Sequence, residues 1–159
     1  MARLLVVGGG CRALTLTRAV REEGHAVRIV TRDAERRAAI EEAGGECVIG
    51  DPDRIGSLRY ALDNVTLLLW LLGTASGGNV EHLHGSRWEM MLWRTIDTTV
   101  RGVVYEAAGS VAPPILDMGV RLSERMSREN EIPLRLLRTD PRDAQAWARD
   151  ARAAVDALL

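Results

Sequence analysis

At 159 residues, with 47% apolar and 27% charged side chains, the chain is long enough to bury one hydrophobic core and has an ordinary globular balance. Its net charge of −1 excludes a general electrostatic grip on nucleic acid or an anionic membrane, and no apolar run approaches the ~20 residues that span a bilayer. All 21 basic residues are arginine, so Schiff-base chemistry and a phosphate-loop lysine are excluded too.

The chain predicts strands and helices in alternation. RLLVVG (3–8) is an apolar run suited to a strand buried on both faces. Leu14, Leu16, Ala19 and Val20 mark the inner side of a helix from Arg12 to Glu23, which Gly24 ends. HAVRIVT (25–31) reads as the second strand. Asp33 is placed to cap a helix through Ala43, stopped by Gly44 and Gly45, and ECVIG (46–50) reads as the third strand. Asp51-Pro52 predicts a helix to Leu62, because proline suits the first helical position.

VTLLLWLLG (65–73) is the most hydrophobic segment and therefore the expected central strand, followed by the polar stretch GTASGGNVEHLHG. Ser86 and Glu89 are spaced as a capping box for a helix carrying Trp88, Met91, Leu92, Thr95 and Ile96 on one side. RGVVYEAAG (101–109) predicts the fifth strand. Pro113-Pro114 lead into a helix with Ile115, Met118, Leu122 and Met126 at helical spacing. IPLRLLR (132–138) predicts the sixth strand, and Asp140-Pro141 start a last helix with Trp147, Ala151 and Val155 facing inward.

Six strands alternating with helices imply a parallel sheet covered on both faces, since parallel strands need crossover connections. Right-handed crossovers give a doubly wound, three-layer Rossmann fold of strand order 3-2-1-4-5-6. The expected organisation is a single domain over residues 1–159, without a separate substrate domain. The first strand begins almost at once, with no signal-peptide architecture, which makes the cytoplasm the expected location. Cys11 falls in a glycine loop and Cys47 in a strand, a spacing that suggests neither a metal site nor a disulfide framework.

Gly8, Gly10 and Ala13 match G-x-G-x-x-[GA] between a strand and a helix. Gly8 permits the tight turn, Gly10 lets backbone approach a pyrophosphate, and Ala13 lets the helix pack closely on the sheet. The helix N-terminus then offers free N–H groups and its positive dipole end to the negative charge. At the end of the second strand stands Thr31-Arg32-Asp33, where an arginine suits the 2′-phosphate of NADP and an acidic residue would suit NAD. Asp33 is explained as a helix cap, so NADP is the first expectation and NAD the second. Arg12 in the glycine loop and Arg36 or Arg37 in the next helix either add positive charge there or belong to a solvated helix face, the favoured reading for Arg36 and Arg37.

VVGGGCRA, followed by VRIVTRDAERRAAIEEAGGECVIGD, resembles the NmrA-like and atypical short-chain dehydrogenase/reductase group of NAD(P)-binding, epimerase-like proteins; the resemblance covers the first 73 residues. It implies that Gly8, Gly10, Cys11, Arg12 and Ala13 line the pyrophosphate, that Arg32 reads the adenosine phosphate, and that Asp51 lies by the adenine amino group. It further implies that Leu72, Gly73 and Thr74 pass along the nicotinamide-side ribose. Enzymes of this group usually carry Tyr and Lys four residues apart. Tyr105 is followed by Glu106-Ala107-Ala108-Gly109, with no lysine anywhere, so the usual proton relay is missing.

Other residues offer chemistry in its place. Glu106 is the one acidic residue in an apolar strand, either a general acid or base with a pKa raised by burial, or a carboxylate paired with an arginine. Ser110 is placed to hydrogen-bond a substrate carbonyl or simply to make its loop polar. His82, in the Glu81-His82-Leu83-His84 stretch, is either a proton donor over the nicotinamide or part of a polar surface loop. Helix 86–98 carries more apolar surface than one stripe requires; the resemblance, in which helices after the fourth strand often pair between subunits, implies a homodimer with Trp93 at the contact, the alternative being burial within the monomer. The leading expectation is an NADP(H)-dependent oxidoreductase acting on a small carbonyl or quinone-like substrate. The alternative is a non-catalytic, NADP(H)-responsive binding or regulatory module.

Overall fold

The computed structural model describes all 159 residues, Met1–Leu159. Six strands form one parallel sheet in the order β3-β2-β1-β4-β5-β6. They are β1 (Arg3–Gly8), β2 (Ala26–Thr31), β3 (Glu46–Ile49), β4 (Leu67–Leu71), β5 (Gly102–Glu106) and β6 (Leu134–Leu137). The predicted topology is the observed one. β4 lies next to β1 with Leu4 opposite Leu67 and Gly8 opposite Leu71, so the sequence's most apolar segment is indeed central.

Alternate residues of the strands feed two cores, one on each side of the sheet. Leu5, Val7, Leu68, Trp70, Val103 and Tyr105 face α4 (Ser86–Thr95) and α5 (Pro113–Asn130). Leu4, Val6, Leu69 and Val104 face α1 (Gly10–Glu22), α2 (Arg37–Glu42) and α6 (Ala144–Leu158). With no phenylalanine in the chain, Trp70 and Trp88 are the largest side chains of the first core. Trp70 stacks on Trp88 at 4.9 Å, and their indole N–H groups donate to the Leu83 carbonyl and to Ser123. Gly119 of α5 lies so close to the Tyr105 hydroxyl that no side chain fits there.

Several element boundaries differ from the sequence reading. Asp33 does cap, accepting from the Glu35 amide, but what it caps is one 3₁₀ turn (Ala34–Arg36) that runs into α2. After Asp51-Pro52 the chain makes a short bridge, Asp51 to Arg54, and the helix begins only at Ile55, as a 3₁₀ helix to Leu62. The Asp51 carboxylate accepts from the Asp53 amide as a cap residue would, but the chain closes only a turn there, with the Arg54 amide donating to the Asp51 carbonyl.

The Ser86–Glu89 capping box does not form. Gly85 holds the cap position, Ser86 is already helical, and Glu89 pairs across to Arg125 of α5 instead. The stretch read as a polar loop contains a short helix, α3 (Val80–His84). On α5 the buried stripe is Leu116, Gly119, Leu122, Ser123 and Met126, leaving Ile115 and Met118 at the margin. α6 starts at Ala144, capped by the Asp143 carboxylate; Asp140, which Arg142 holds, closes only the turn before it.

Arg28 was not anticipated. It sits in the apolar β2 at 7% exposure and is paid for by Glu46 and by the carbonyls of Ala61 and Asp63, which close the 3₁₀ helix.

Candidate functional site: two clefts meeting at Thr74

Parallel strands deliver their carboxyl ends to one edge of the sheet, where the loops leave a crevice on either side of β4. The first cleft, about 380 Å³, lies over β1, β2 and β4. Gly8, Gly9 and Gly10 enter it with φ of +85°, +89° and +53°. This left-handed run is accessible to glycine and strained for other residues. A side chain at Gly8 would collide with the Leu71 backbone, and one at Gly9 would come within 3.0 Å of the Ala13 Cβ. A Cβ at Gly10 would meet nothing within 4 Å, so its space is open to the cleft.

Helix α1 starts at Gly10, so the N–H groups of Gly10 and Cys11 have no carbonyl four residues back within the helix. No acidic side chain occupies its first turn. The same cleft gathers Thr31, Arg32, Arg36, Asp51, Leu72 and Thr74, all but one of them anticipated. Arg36 is the exception: the 3₁₀ turn places it beside Arg32 rather than on a solvated face. Neither arginine has a carboxylate partner, whereas Arg37 pairs with Glu41.

Four residues expected at the pyrophosphate or ribose do not line this cleft. Cys11 is exposed at the start of α1, and Ala13 is fully buried beneath Gly9, where its small side chain lets the helix approach the sheet. Gly73 is buried in the turn after β4. Arg12 points away toward the end of β5, where its Nη2 donates to both oxygens of Glu106, at 2.9 and 3.1 Å.

Glu106 is 0% exposed and has every side occupied. Besides Arg12, the Gly73 amide donates to Oε1 at 2.8 Å and the Trp147 indole to Oε2 at 2.8 Å. The Arg12 guanidinium also lies over the Trp147 ring, 5.3 Å from its centre. This is the paired-carboxylate alternative for Glu106, tying α1, β4, β5 and α6 together at one point. Sequence reading had each residue but not the contact, which joins positions 94 apart in the chain.

The second cleft, about 540 Å³, opens over β5 and β6 and shares Thr74 with the first. Ser110 lines it, as do Val111, Leu116 and Arg138. Gly73 and Gly109 pass with their backbones in contact, and the Val111 amide donates to the Gly73 carbonyl, so the loops after β4 and β5 are joined.

The two histidines of the Glu81–His84 stretch separate, because residues two apart on a helix diverge by roughly 200°. His82 is exposed and lines neither cleft. His84 is fully buried between Tyr105 and the Leu72 carbonyl, at 2.6 and 2.9 Å. A carbonyl only accepts, so Nε2 carries the hydrogen and Nδ1 accepts from the Tyr105 hydroxyl. Burial pushes His84 below its ordinary pKa, against the Leu72 hydrogen bond, while burial and the adjacent Glu106 charge push Tyr105 up. Both therefore stay neutral and support the floor of the first cleft from beneath.

Neither a protein-family model nor a curated protein matches the sequence. Solved structures do. Triphenylmethane reductase of Citrobacter sp., complexed with NADP(H), superimposes with a TM-score of 0.64 at 20% identity, covering 86% of this chain and 49% of that one. UDP-glucuronic acid 4-epimerase from Bacillus cereus, complexed with NAD, gives 0.67 at 11% identity, covering 87% and 56%. BdcA from E. coli gives 0.76 at 10% identity, covering 94% and 88%. The chain thus spans about half the length of the two ligand-bound proteins. At these identities the likeness establishes the Rossmann fold, in agreement with the resemblance read from the glycine loop.

Proposed function

We propose that the chain binds a nicotinamide dinucleotide, NADP(H) in preference to NAD(H), and works as an oxidoreductase of the atypical short-chain dehydrogenase type on a small carbonyl or quinone-like substrate. The observation that carries the reading is the left-handed run Gly8–Gly10, which opens the start of α1 into the cleft holding Arg32 and Arg36. The donor set suits the ligand: backbone amides and a helix dipole for a diphosphate, and two unpaired guanidiniums for a 2′-phosphate. Asp51, which the resemblance puts by an adenine amino group, lines the same cleft, as do Leu72 and Thr74. The fold of the NADP(H)- and NAD-bound proteins supports the same use of this edge.

A bound dihydronicotinamide supplies hydride itself, leaving the protein to orient the reactants. Thr74 and Ser110 are the hydroxyls that the second cleft offers to an acceptor. Glu106 already accepts four hydrogen bonds, which favours the second reading, an NADP(H)-responsive module without turnover. Pairing of two copies through α4 belongs to either reading, since Trp93 is 55% exposed and Met90 and Ile96 lie beside it. No helix is long and apolar enough to cross a membrane.

Arg32→Ala should weaken NADP⁺ binding by about 1–3 kcal/mol and leave NAD⁺ nearly unchanged in calorimetric titrations. Equal losses for both nucleotides would remove the preference for NADP. NADPH consumption against a panel of ketones and quinones then separates the two readings: turnover supports the oxidoreductase, and tight binding without turnover supports the module.

A further inference from the structure

The two clefts meet at a single hydroxyl whose hydrogen has nowhere to go within the protein. Both Nη1 and Nη2 of Arg12 converge on Thr74 Oγ1, each at 3.4 Å. A guanidinium donates and cannot accept, so the Thr74 oxygen is the acceptor in this fork. Its own hydrogen must point elsewhere, and no protein group receives it. The contrast is with Thr17, Thr95 and Thr99, whose hydroxyls all donate to backbone carbonyls. Thr74 is exposed and borders both clefts, so its O–H is free to point into their junction.

Arg12 is in turn fixed by Glu106 and Trp147. Because Glu106 cancels its charge, the junction carries an oriented, polarised hydroxyl but no net charge. The rest of the second cleft is balanced likewise, with Arg138 and Arg142 against Asp117 and Asp140, and Arg142 tied to Asp140. The geometry points to Thr74 as the hydrogen-bond donor to a neutral carbonyl oxygen seated where the clefts meet, with Arg12 as the positioning residue that aims it. The inference rests on the proposed small-carbonyl substrate and narrows it to uncharged acceptors. Any charge that develops on that oxygen is met by the Thr74 hydrogen, and its proton comes from water in the open cleft.

The test uses acetophenone and benzoate, which share a ring and differ in charge, titrated into methyl-labelled protein with and without saturating NADP⁺. Acetophenone should shift the Thr74 γ-methyl and Ala107 methyl signals saturably, and benzoate should bind at least tenfold more weakly. Read at Ala107, Thr74→Ser should keep acetophenone affinity within about twofold, and Thr74→Val should lose at least fivefold. The uncharged pair Arg12→Met with Glu106→Gln, which frees the hydroxyl to rotate, should lose a similar factor although Thr74 is intact. Unmoved Thr74 signals, wild-type affinity in Thr74→Val, or equal binding of benzoate would each overturn the assignment. Loss of the nucleotide reading would show separately, as Gly8–Gly10 amide signals that do not respond to NADP⁺.

Discussion

Arg12→Ala is expected to destabilise the protein by about 3–5 kcal/mol, measured by denaturant unfolding. The size follows from what the substitution leaves behind. Glu106 is wholly excluded from water, and without Arg12 its charge would face only the Gly73 amide and the Trp147 indole. Two neutral donors do not replace a guanidinium that meets both oxygens. Arg12 is 16% exposed and can turn its charge outward, so Glu106→Gln should cost less than Arg12→Ala. The Arg12→Met/Glu106→Gln double variant should cost less than the sum of its singles, since neither charge remains to be stranded. A loss below about 1 kcal/mol for Arg12→Ala would mean that the pair does not hold these elements together.

Gly73→Ala is expected to cost about 3 kcal/mol or more, at the upper end for overpacking. The added Cβ would run into the Ala108 carbonyl and lie 2.9 Å from Glu106 Oε1. Backbone cannot step aside as a side-chain tip can, so the loops after β4 and β5 must part. Both clefts should then change, because these loops carry Thr74 and Ser110, and nucleotide affinity should fall with stability. Gly78→Ala is the control: nothing lies within 4 Å of its Cβ, and the change should stay within about 0.5 kcal/mol. Equal effects at the two positions would refute the crossing of Gly73 and Gly109 as a structural constraint.

The fold was legible because its signals are local. A short apolar run such as Leu4–Val7 or Leu67–Leu71, bounded by glycine, reads as a strand buried on both faces, and glycine pairs punctuate what lies between. Helix starts were less legible where two local rules compete. Asp51-Pro52 and Ser86-x-x-Glu89 satisfy spacing rules for caps, yet the Asp51 bond to the Asp53 amide closes only a turn, and Arg125 takes Glu89 from its box. Gly8, Gly10, Thr31 and Arg32 line the first cleft because the end of a parallel strand fixes where the following residues stand, and Thr74, which the resemblance implies, lines it too.

The partner of Glu106 was not legible. Arg12 stands in a glycine loop, where the resemblance implies a phosphate, while Glu106 in its apolar strand left catalysis and an arginine pair both open. Each explains the other only once β5 has been placed beside β4. The burial of His84 was likewise hidden, because a stretch this polar gives no sign that a helix will turn one histidine into the core and leave the other in solvent.

The central claim is that the amides at the start of α1 are held open for a diphosphate. Amide-resolved NMR titration with NADP⁺ tests it most directly. The account predicts saturable shifts at Gly8, Gly9, Gly10 and Cys11, together with Arg32 and Thr74, and tighter saturation than with NAD⁺. Amides that stay fixed at saturating nucleotide, or shifts confined to another face, would contradict it.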